Sequence, residues 1–587
     1  LDSEPNKAKY RCHWTPPLAV DPFDHNAVYY GCQVIFRTTS AGQSWSVISE
    51  DLSTRDPKYV VSSGGIVGDN LGQFYGEVVF AIAPSQIQRG LVWAGTNDGK
   101  VWYTRDSLAA SPHWTDVTKN IAGLPPMAVI SKIEPSHFDA GTAYICADLH
   151  LADNRDPWVY KTIDFGKTWT KINGDLPTGH PLDYARVIAE NPNKKGMLFV
   201  GTGHDLFYSL DDGQHWKPLE EGLPHAAVSW VVVQKQAHDV VVATYGRGFY
   251  IMHDITPLEQ GMMEPSFAEP VSLVAPRPVF REPRSASAEI SFKLAAVPKA
   301  PVQFEVIDAK GAPVSKLPPV TGHAGLNRIA ADLRYAGPRL IALRTTPPEN
   351  PHIWEEPRFQ GQDTRPVTHW GIEGAANGPL LAPGEYTLKM TVDGASVSKP
   401  LHVAVPPGSH GTEADLQAAA HLQLKVRDDI SSVSDMANQL EWMRKQLEDE
   451  EKTAENKATL LQAITGMDKK LKAVELKLIT ESDMMSDDKY YPEQYQLYLN
   501  LIWLGGEIGN GAGDVAGSGD YGPTETDTAL VLDLERQLDA FKTQYKGVMD
   551  KDVPAFNQTV GASGVPPLKT TGAPPAPVRA GRGGGDN

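Results

Sequence analysis

One eight-residue pattern recurs along the first half of this chain and limits what that half can fold into. Thr162-Ile163-Asp164-Phe165-Gly166-Lys167-Thr168-Trp169 returns as Ser209-Leu210-Asp211-Asp212-Gly213-Gln214-His215-Trp216. Thr38 to Trp45 matches it with Ser40 in the aspartate place. Thr104-Arg105-Asp106 opens a degenerate copy that reaches Trp114 after a stretched turn. The template is S/T-x-D-x-G-x-T/S-W, and its tryptophans stand 69, 55 and 47 residues apart. Such a period implies an array of small units, each burying its faces on its neighbours.

The chemistry of the box is that of a hairpin turn. A short Asp side chain accepts from backbone N–H groups about two residues on. Gly supplies a positive φ at no steric cost. The Trp opens the next strand with a large apolar face. Ser40, Asp106, Asp164 and Asp211, with Trp45, Trp169 and Trp216, are therefore read as structural, not as catalytic acids. Short β-rich runs precede each box, such as Leu18 to Asp21, Val28 to Gly31 and Val34 to Arg37. Three strands, a box hairpin and a fourth strand make a four-stranded blade. About five units fit between His13 and Ile255, and the fifth stops after three strands.

These repeats resemble the Asp-box (BNR) repeats of sortilin/VPS10-type β-propellers, found in bacterial proteins labelled glycosyl hydrolases. The resemblance rests on Val34 to Ser46, Ser62 to Asn70, Leu91 to Gly95, and Ala243 to Phe249 with Asp254 to Leu258. It extends over nearly the whole chain and matches the C-terminal portion of such proteins. It implies a propeller fold more than it implies an activity.

The rest of the chain reads as further domains. Residues 1–260 are the blades and 261–284 a Pro-rich linker. Within that linker Val279 to Pro283 is similar to the sialidase Phe-Arg-Ile-Pro signature, but it falls after the last blade. Residues 285–405 alternate as an immunoglobulin- or fibronectin-like β-sandwich would. An insertion there carries Trp354 and Trp370, which are read as loop packing with a sugar face as the alternative. Residues 412–551 switch to helical period: Leu422 to Leu447, Leu460 to Leu478 and Leu530 to Tyr545 each carry a one-sided apolar stripe. Tyr490 to Leu504 is expected as a further helix, and Gly505 to Gly522 as a loop. The fold class is thus mainly β, ending in an α-helical hairpin or bundle. Residues 555–587 turn to Gly, Pro, Ala and Thr and are expected to be disordered.

Composition narrows the function classes. The chain has 587 residues and a net charge of −18 without a basic stripe, which argues against nucleic acid as a partner. No apolar run approaches the ~20 residues of a membrane helix. Three cysteines exclude a disulfide framework. Cys12 and Cys32 flank the first strands and are able to pair, with unpaired thiols as the equal alternative. A secreted, periplasmic or cell-surface location is expected, with the targeting segment absent from this chain.

Function then falls to the propeller mouth, where the turns between strands two and three meet the connections between blades. The polar residues there are Gln33, Asp69, Asn70, Asp98, Asp148, His150, Asp153, His204, Asp205, His225 and Arg247. Asp69 and Asp148 are the pair for acid and base work on a glycosidic bond. Asn70, Asp98, His150, Asp153, His204, Asp205 and Arg247 are the ligand-binding set. A sialidase would need an arginine cluster, and only Arg247 is well placed. No ligand spacing is diagnostic of a metal, and no cofactor is expected. The first reading is a binding or assembly protein holding a peptide or glycan; the alternative is a glycoside hydrolase. Five blades also read as part of a larger propeller, completed by an upstream segment or a second chain.

Overall fold

The structure is a computed structural model that describes residues 8–58, 60, 77–219, 222–264, 267–282, 285–369, 377–454, 457–485, 493–509, 521–561 and 563–572. It divides into two compact units, Leu1–Ala268 and Glu269–Asn587.

In the first unit the strands associate in sequence order. Blade one is β1 (Leu18–Asp21), β2 (Asp24–Gly31), β3 (Ile35–Thr38) and β4 (Ser46–Val47). Blade two is β5 (Val79–Pro84), β6 (Val92–Thr96), β7 (Val101–Thr104) and β8 (Thr115–Asp116). Blade three is β9 (Val129–Pro135), β10 (Ala143–Asp148), β11 (Trp158–Thr162) and β12 (Thr170–Lys171). Blade four is β13 (Ala185–Glu190), β14 (Leu198–Thr202), β15 (Leu206–Ser209) and β16 (Lys217–Pro218). The fifth sheet has three strands, β17 (Val228–Gln234), β18 (Asp239–Thr244) and β19 (Gly248–Met252). Every pairing is antiparallel.

Stacked apolar faces hold the series together. Tyr29, Ile35, Val92 and Trp114 join blade one to blade two. Trp93, Ile130, Ile145 and Tyr160 join two to three. Tyr144, Val159, Leu198 and Trp216 join three to four, and Phe199, Val187, Val231 and Val242 join four to five. Each such side chain contributes about 1.5–3 kcal/mol through burial. Consecutive small sheets stacked face on face are β-propeller blades.

The two end sheets differ from the inner ones. Phe249 pairs with Ala243, which pairs with Trp230, so both rings lie on one face of the fifth sheet. Phe249 is 79% exposed and Trp230 47%. At the other end Leu18 and Val20 are exposed on blade one, and Trp45 is 43% exposed.

The box turns work through a longer reach than the two residues expected. Thr168 N–H donates to Asp164 Oδ1 at 2.9 Å, and His215 N–H to Asp211 Oδ1 at 2.9 Å, four residues on in each case. In the stretched copy His113 N–H reaches Asp106 Oδ1 at 3.0 Å. Ser40 substitutes its Oγ, accepting from Ser44 N–H at 3.0 Å. The reason is a double left-handed turn: Phe165 and Gly166 have φ of 58° and 77°. That folds the chain back tightly enough to bring the fourth N–H onto the carboxylate.

In the second unit two sheets share one core. Ser287–Leu294 pairs with Val271–Leu273 on one side and Gly325–Asp332 on the other. The facing sheet has Gly384–Val392 at its centre, between Ala395–Ala404 and Gln303–Ile307. Phe292 and Phe304 meet edge to face at 5.4 Å in the core they share. The stretch expected as linker is corrected here. Leu273 and Val279 are buried in that core, because Val271–Leu273 and Val279–Phe280 are edge strands of the two sheets. Arg281, in the sialidase-like run, is buried, and its N–H donates to Ala404 O.

The helices of this unit are Glu413–Thr453, Ala458–Glu475, Leu497–Ile508, Glu525–Gly547 and Val553–Gly561. Thr412 and Thr524 open two of them with capping boxes. Two expectations are corrected. Gly505 and Gly506, expected in a loop, lie within the helix Leu497–Ile508, and residues 510–520 of that expected loop lie outside the described residues. A Cβ at Gly505 would stand 3.3 Å from Val426, so glycine allows the close approach to the long helix. Residues from 555 onward, expected to be disordered, are folded as far as they are described. Val553, Phe556 and Val560 form one buried helical stripe, and Leu568 is buried beyond it. Tyr490 to Pro492 and residues 573–587 lie outside the described residues.

Candidate functional site

Antiparallel order puts two kinds of connection at one end of every blade. These are the turns between second and third strands and the links to the next blade. Three of the sequence-selected residues are brought together there on blade four and the link into blade five. His204 and Asp205 occupy the turn between β14 and β15, and His225 the link into β17. His204 Nε2 lies 3.1 Å from Asp205 Oδ2, and His225 Nδ1 lies 2.6 Å from Asp205 Oδ1.

Blade three contributes a second group. Asp148 is buried at the end of β10, and its Oδ1 takes the His150 N–H at 2.9 Å and Nδ1 at 2.6 Å. His150 stacks on Tyr184, with centroids 4.5 Å apart and planes 19° apart. Tyr184 precedes β13, so this stack ties the mouth of blade three to that of blade four.

The remaining selected residues stand apart. Gln33 is buried and bridges Arg11 N–H to Lys9 O. Asp98 is buried and accepts Thr54 N–H at 2.7 Å. Asp153 caps a short 3-10 turn in left-handed conformation with its side chain exposed. Arg247 is exposed in the turn between β18 and β19. Asp69 and Asn70 lie outside the described residues, as does Trp370. Trp354 is half-buried and donates to Thr346 Oγ1 at 3.2 Å, within its loop.

Three mouth residues escaped the sequence reading. Glu77 is buried beside Asp98, and its Oε1 accepts the Thr54 hydroxyl at 2.7 Å. Burial pushes its carboxyl above the usual range, the Thr54 hydroxyl pulls it back, and the charge of Asp98 adds to the rise. His180 and Asp183 sit in the link before β13 and converge on His204. The only sequence trace of that convergence is a His and an Asp shortly before a strand.

Sheets and mouth together define a chain of β-propeller blades with a polar, imidazole-rich end. No protein-family model matches this chain. No curated protein matches it either. Solved structures similar to it in part include a GH74 xyloglucanase from Xanthomonas campestris. That likeness has 16% identity and a TM-score of 0.32, over 50% of this chain and 43% of that one. A GH74 enzyme of Niastella koreensis has 15% identity and a TM-score of 0.25, over 40% and 30% of the two chains. An ancestral GH74 enzyme has 11% identity and a TM-score of 0.31, over 69% and 48%. The chain therefore spans less than half the length of these structures. At these scores the blade architecture rests on the hydrogen-bonded sheets themselves.

Proposed function

We propose that this chain is a binding and assembly protein that holds a polar ligand, a peptide or a glycan, at the blade mouth. The observation that carries this reading is how the mouth carboxylates are spent. Asp148 is held by His150, Asp205 by His204 and His225, and Asp98 by Thr54. Asp148 and Asp205 thereby orient imidazoles, and Asp98 holds the backbone at Thr54. The exposed end faces add the assembly half of the proposal: further blades would cover Trp45 on one side and Phe249 on the other. The Cys12–Cys32 disulfide supports an oxidising compartment, outside the cytosol. Among the described residues no helix is long and apolar enough to cross a membrane.

One observation favours a second reading, a glycoside hydrolase. Glu77 and Asp98 are two buried carboxyls joined through one residue, Thr54, and among the described residues Asp98 Oδ1 has no hydrogen-bond partner. A carboxyl raised by burial beside an ionised one is the pattern of a general acid with its partner. A glycan and peptide array probed with the full chain, run beside a hydrolysis screen on the same glycans, separates the two. Binding without cleavage is expected. Cleavage that disappears in Glu77→Gln would replace the binding reading with the hydrolase.

A further inference from the structure

Two connections touch at the mouth end of blade four, and glycine is what lets them. Gly203 N–H donates to Tyr184 O at 3.1 Å. A Cβ at Gly203 would stand 2.7 Å from the Leu182 carbonyl oxygen and 2.7 Å from the Tyr184 ring. Any side chain there would push the turn carrying His204 away from the link carrying His180 and Asp183. With glycine in place, one ring nitrogen of each histidine and one oxygen of Asp183 all lie within 4.8 Å of one another. The two imidazole centroids are 4.9 Å apart.

The supporting bonds aim these groups at a common point. Asp183 is buried, and its Oδ2 is fixed by the His180 N–H at 2.7 Å. Its other oxygen, Oδ1, stands 4.0 Å from His204 Nε2. His204 Nδ1 lies 3.1 Å from the Leu182 carbonyl oxygen. A carbonyl only accepts, so that bond puts a proton on Nδ1. Nε2 is then the nitrogen that faces Asp183 Oδ1 and Asp205 Oδ2, the side on which an ion would bind. A backbone carbonyl holding the far nitrogen is the usual support of a metal-binding histidine. His180 is exposed, so the point of convergence opens to solvent on one side.

We propose that His180, Asp183 and His204 form a binding site for a divalent transition-metal ion of the zinc class. Two imidazoles and a carboxylate are the donor set of zinc sites that keep one position open. Calcium and magnesium prefer all-oxygen shells and fit this set poorly. Ligand atoms at ~2.0–2.1 Å on a tetrahedral ion stand about 3.4 Å apart. The Oδ1 to Nε2 separation of 4.0 Å is therefore closed by a small side-chain shift. Asp205 Oδ2, 3.1 Å from the same Nε2, is the nearest further oxygen and is itself tied to His225. The open position would take a water or an oxygen of the ligand. Only that last consequence rests on the mouth-binding reading; uptake of the ion does not.

The test uses the full chain, stripped with a chelator and titrated with zinc by calorimetry. One equivalent of zinc is expected to bind. His204→Gln and Asp183→Asn should each weaken binding at least about 10-fold, the range seen when metal-site partners are lost. His215→Gln, an exposed residue on a box hairpin at the other end of the blade, should bind as the parent does. Circular dichroism of each variant reports whether it folds. Cobalt titration of the parent chain gives a readout that needs no variant. Visible absorption of a nitrogen- and oxygen-ligated tetrahedral ion is expected, and zinc should abolish it. Absence of saturable zinc uptake by the parent overturns the proposal. So does unchanged affinity in folded His204→Gln and Asp183→Asn. Glycan or peptide binding that fails while zinc uptake holds would sink the mouth reading and leave the ion site standing.

Discussion

The Trp216 indole N–H donates to the Ile172 carbonyl oxygen, 3.0 Å away in the sheet before its own. Trp114 does the same to Ile48 at 2.8 Å, and Trp169 sets its ring edge against Trp93, with centroids 6.1 Å apart. The box tryptophan is thus a latch from each blade to the preceding one. Trp216 is 5% exposed. Trp216→Ala should therefore cost about 3–5 kcal/mol, the usual loss for removing a large buried aromatic ring. Trp45 is 43% exposed and sets its ring only 6.2 Å from Tyr30 of its own blade, so Trp45→Ala should cost less than about 1 kcal/mol. Urea denaturation of both variants checks the pair. An equal loss at the two positions would mean that the ring, and not its docking, matters.

Acid should loosen the box turns. Burial pushes the Asp164 carboxyl up, but the Thr168 N–H and hydroxyl and the Thr162 hydroxyl outweigh it and hold it below the usual range. Asp211 is held down in the same way by His215 and Ser209. A carboxyl lowered in the folded state adds stability above its unfolded pKa. That stability is lost as pH falls through the folded value. Asp164→Asn should shrink the difference between urea midpoints measured near neutral pH and near ~pH 3. A parent-sized difference in the variant would show that the turn carboxylate contributes nothing.

Blade strands were legible because each is a short apolar run between turn residues. β10 and β14 are buried along their whole lengths, and their runs, Ala143–Asp148 and Leu198–Thr202, are almost wholly apolar. The box turns were legible because Asp164 acts on Thr162 and Thr168, neighbours within four residues. The mouth was not legible to the same degree. His180 and His204 meet only because Gly203 admits the Tyr184 link, and a one-dimensional pattern holds no such closeness. Asp148 was selected as half of a pair, yet a turn two residues long gives it to His150. The helix Val553–Gly561 was hidden by the Gly and Pro that surround it, although Val553, Phe556 and Val560 keep helical spacing.

Glu77 should make the first unit more stable in mild acid than at neutrality. Its carboxyl is raised chiefly by burial. The folded state then holds its proton more tightly than the unfolded state. Stability therefore falls as pH rises from the unfolded value through the folded one. Glu77→Gln keeps an oxygen for the Thr54 hydroxyl and removes the charge. The variant should melt at the same temperature or higher at neutral pH, with a flatter profile between about pH 4 and pH 7. A lower melting temperature across that whole range would show that the ionised carboxylate is needed.

Reduction should act on blade one alone. Cys12 and Cys32 are bonded across a separation of 20 residues, and a loop of that size is worth about 3 kcal/mol in chain entropy. Cys146 is buried and free, and burial pushes its thiol well above the usual range. Intact mass after alkylation should show no label on the native chain and one label on the chain unfolded without reductant. Labelling of the native chain would place an accessible thiol where the structure has none.

The end faces should drive association. Leu18 pairs with Tyr30, Tyr30 with Phe36 and Phe36 with Val47, so one row of apolar side chains crosses the outer face of blade one. On the fifth sheet, Val232 pairs with Val241 and Val241 with Ile251, beside the row of Trp230 and Phe249. Both rows match the faces that inner blades bury on one another, so each is suited to receive a further blade. Alone, the chain should bind a hydrophobic dye and grow in light-scattering mass as its concentration rises. Phe249→Lys places a charge at one end of an exposed row and should cut that growth without lowering the melting temperature, because the ring is 79% exposed. Trp45→Lys should do the same at the other end. A monodisperse monomer that binds no dye would mean that the two faces are already covered in solution, and assembly with further blades would then have no surface to act on.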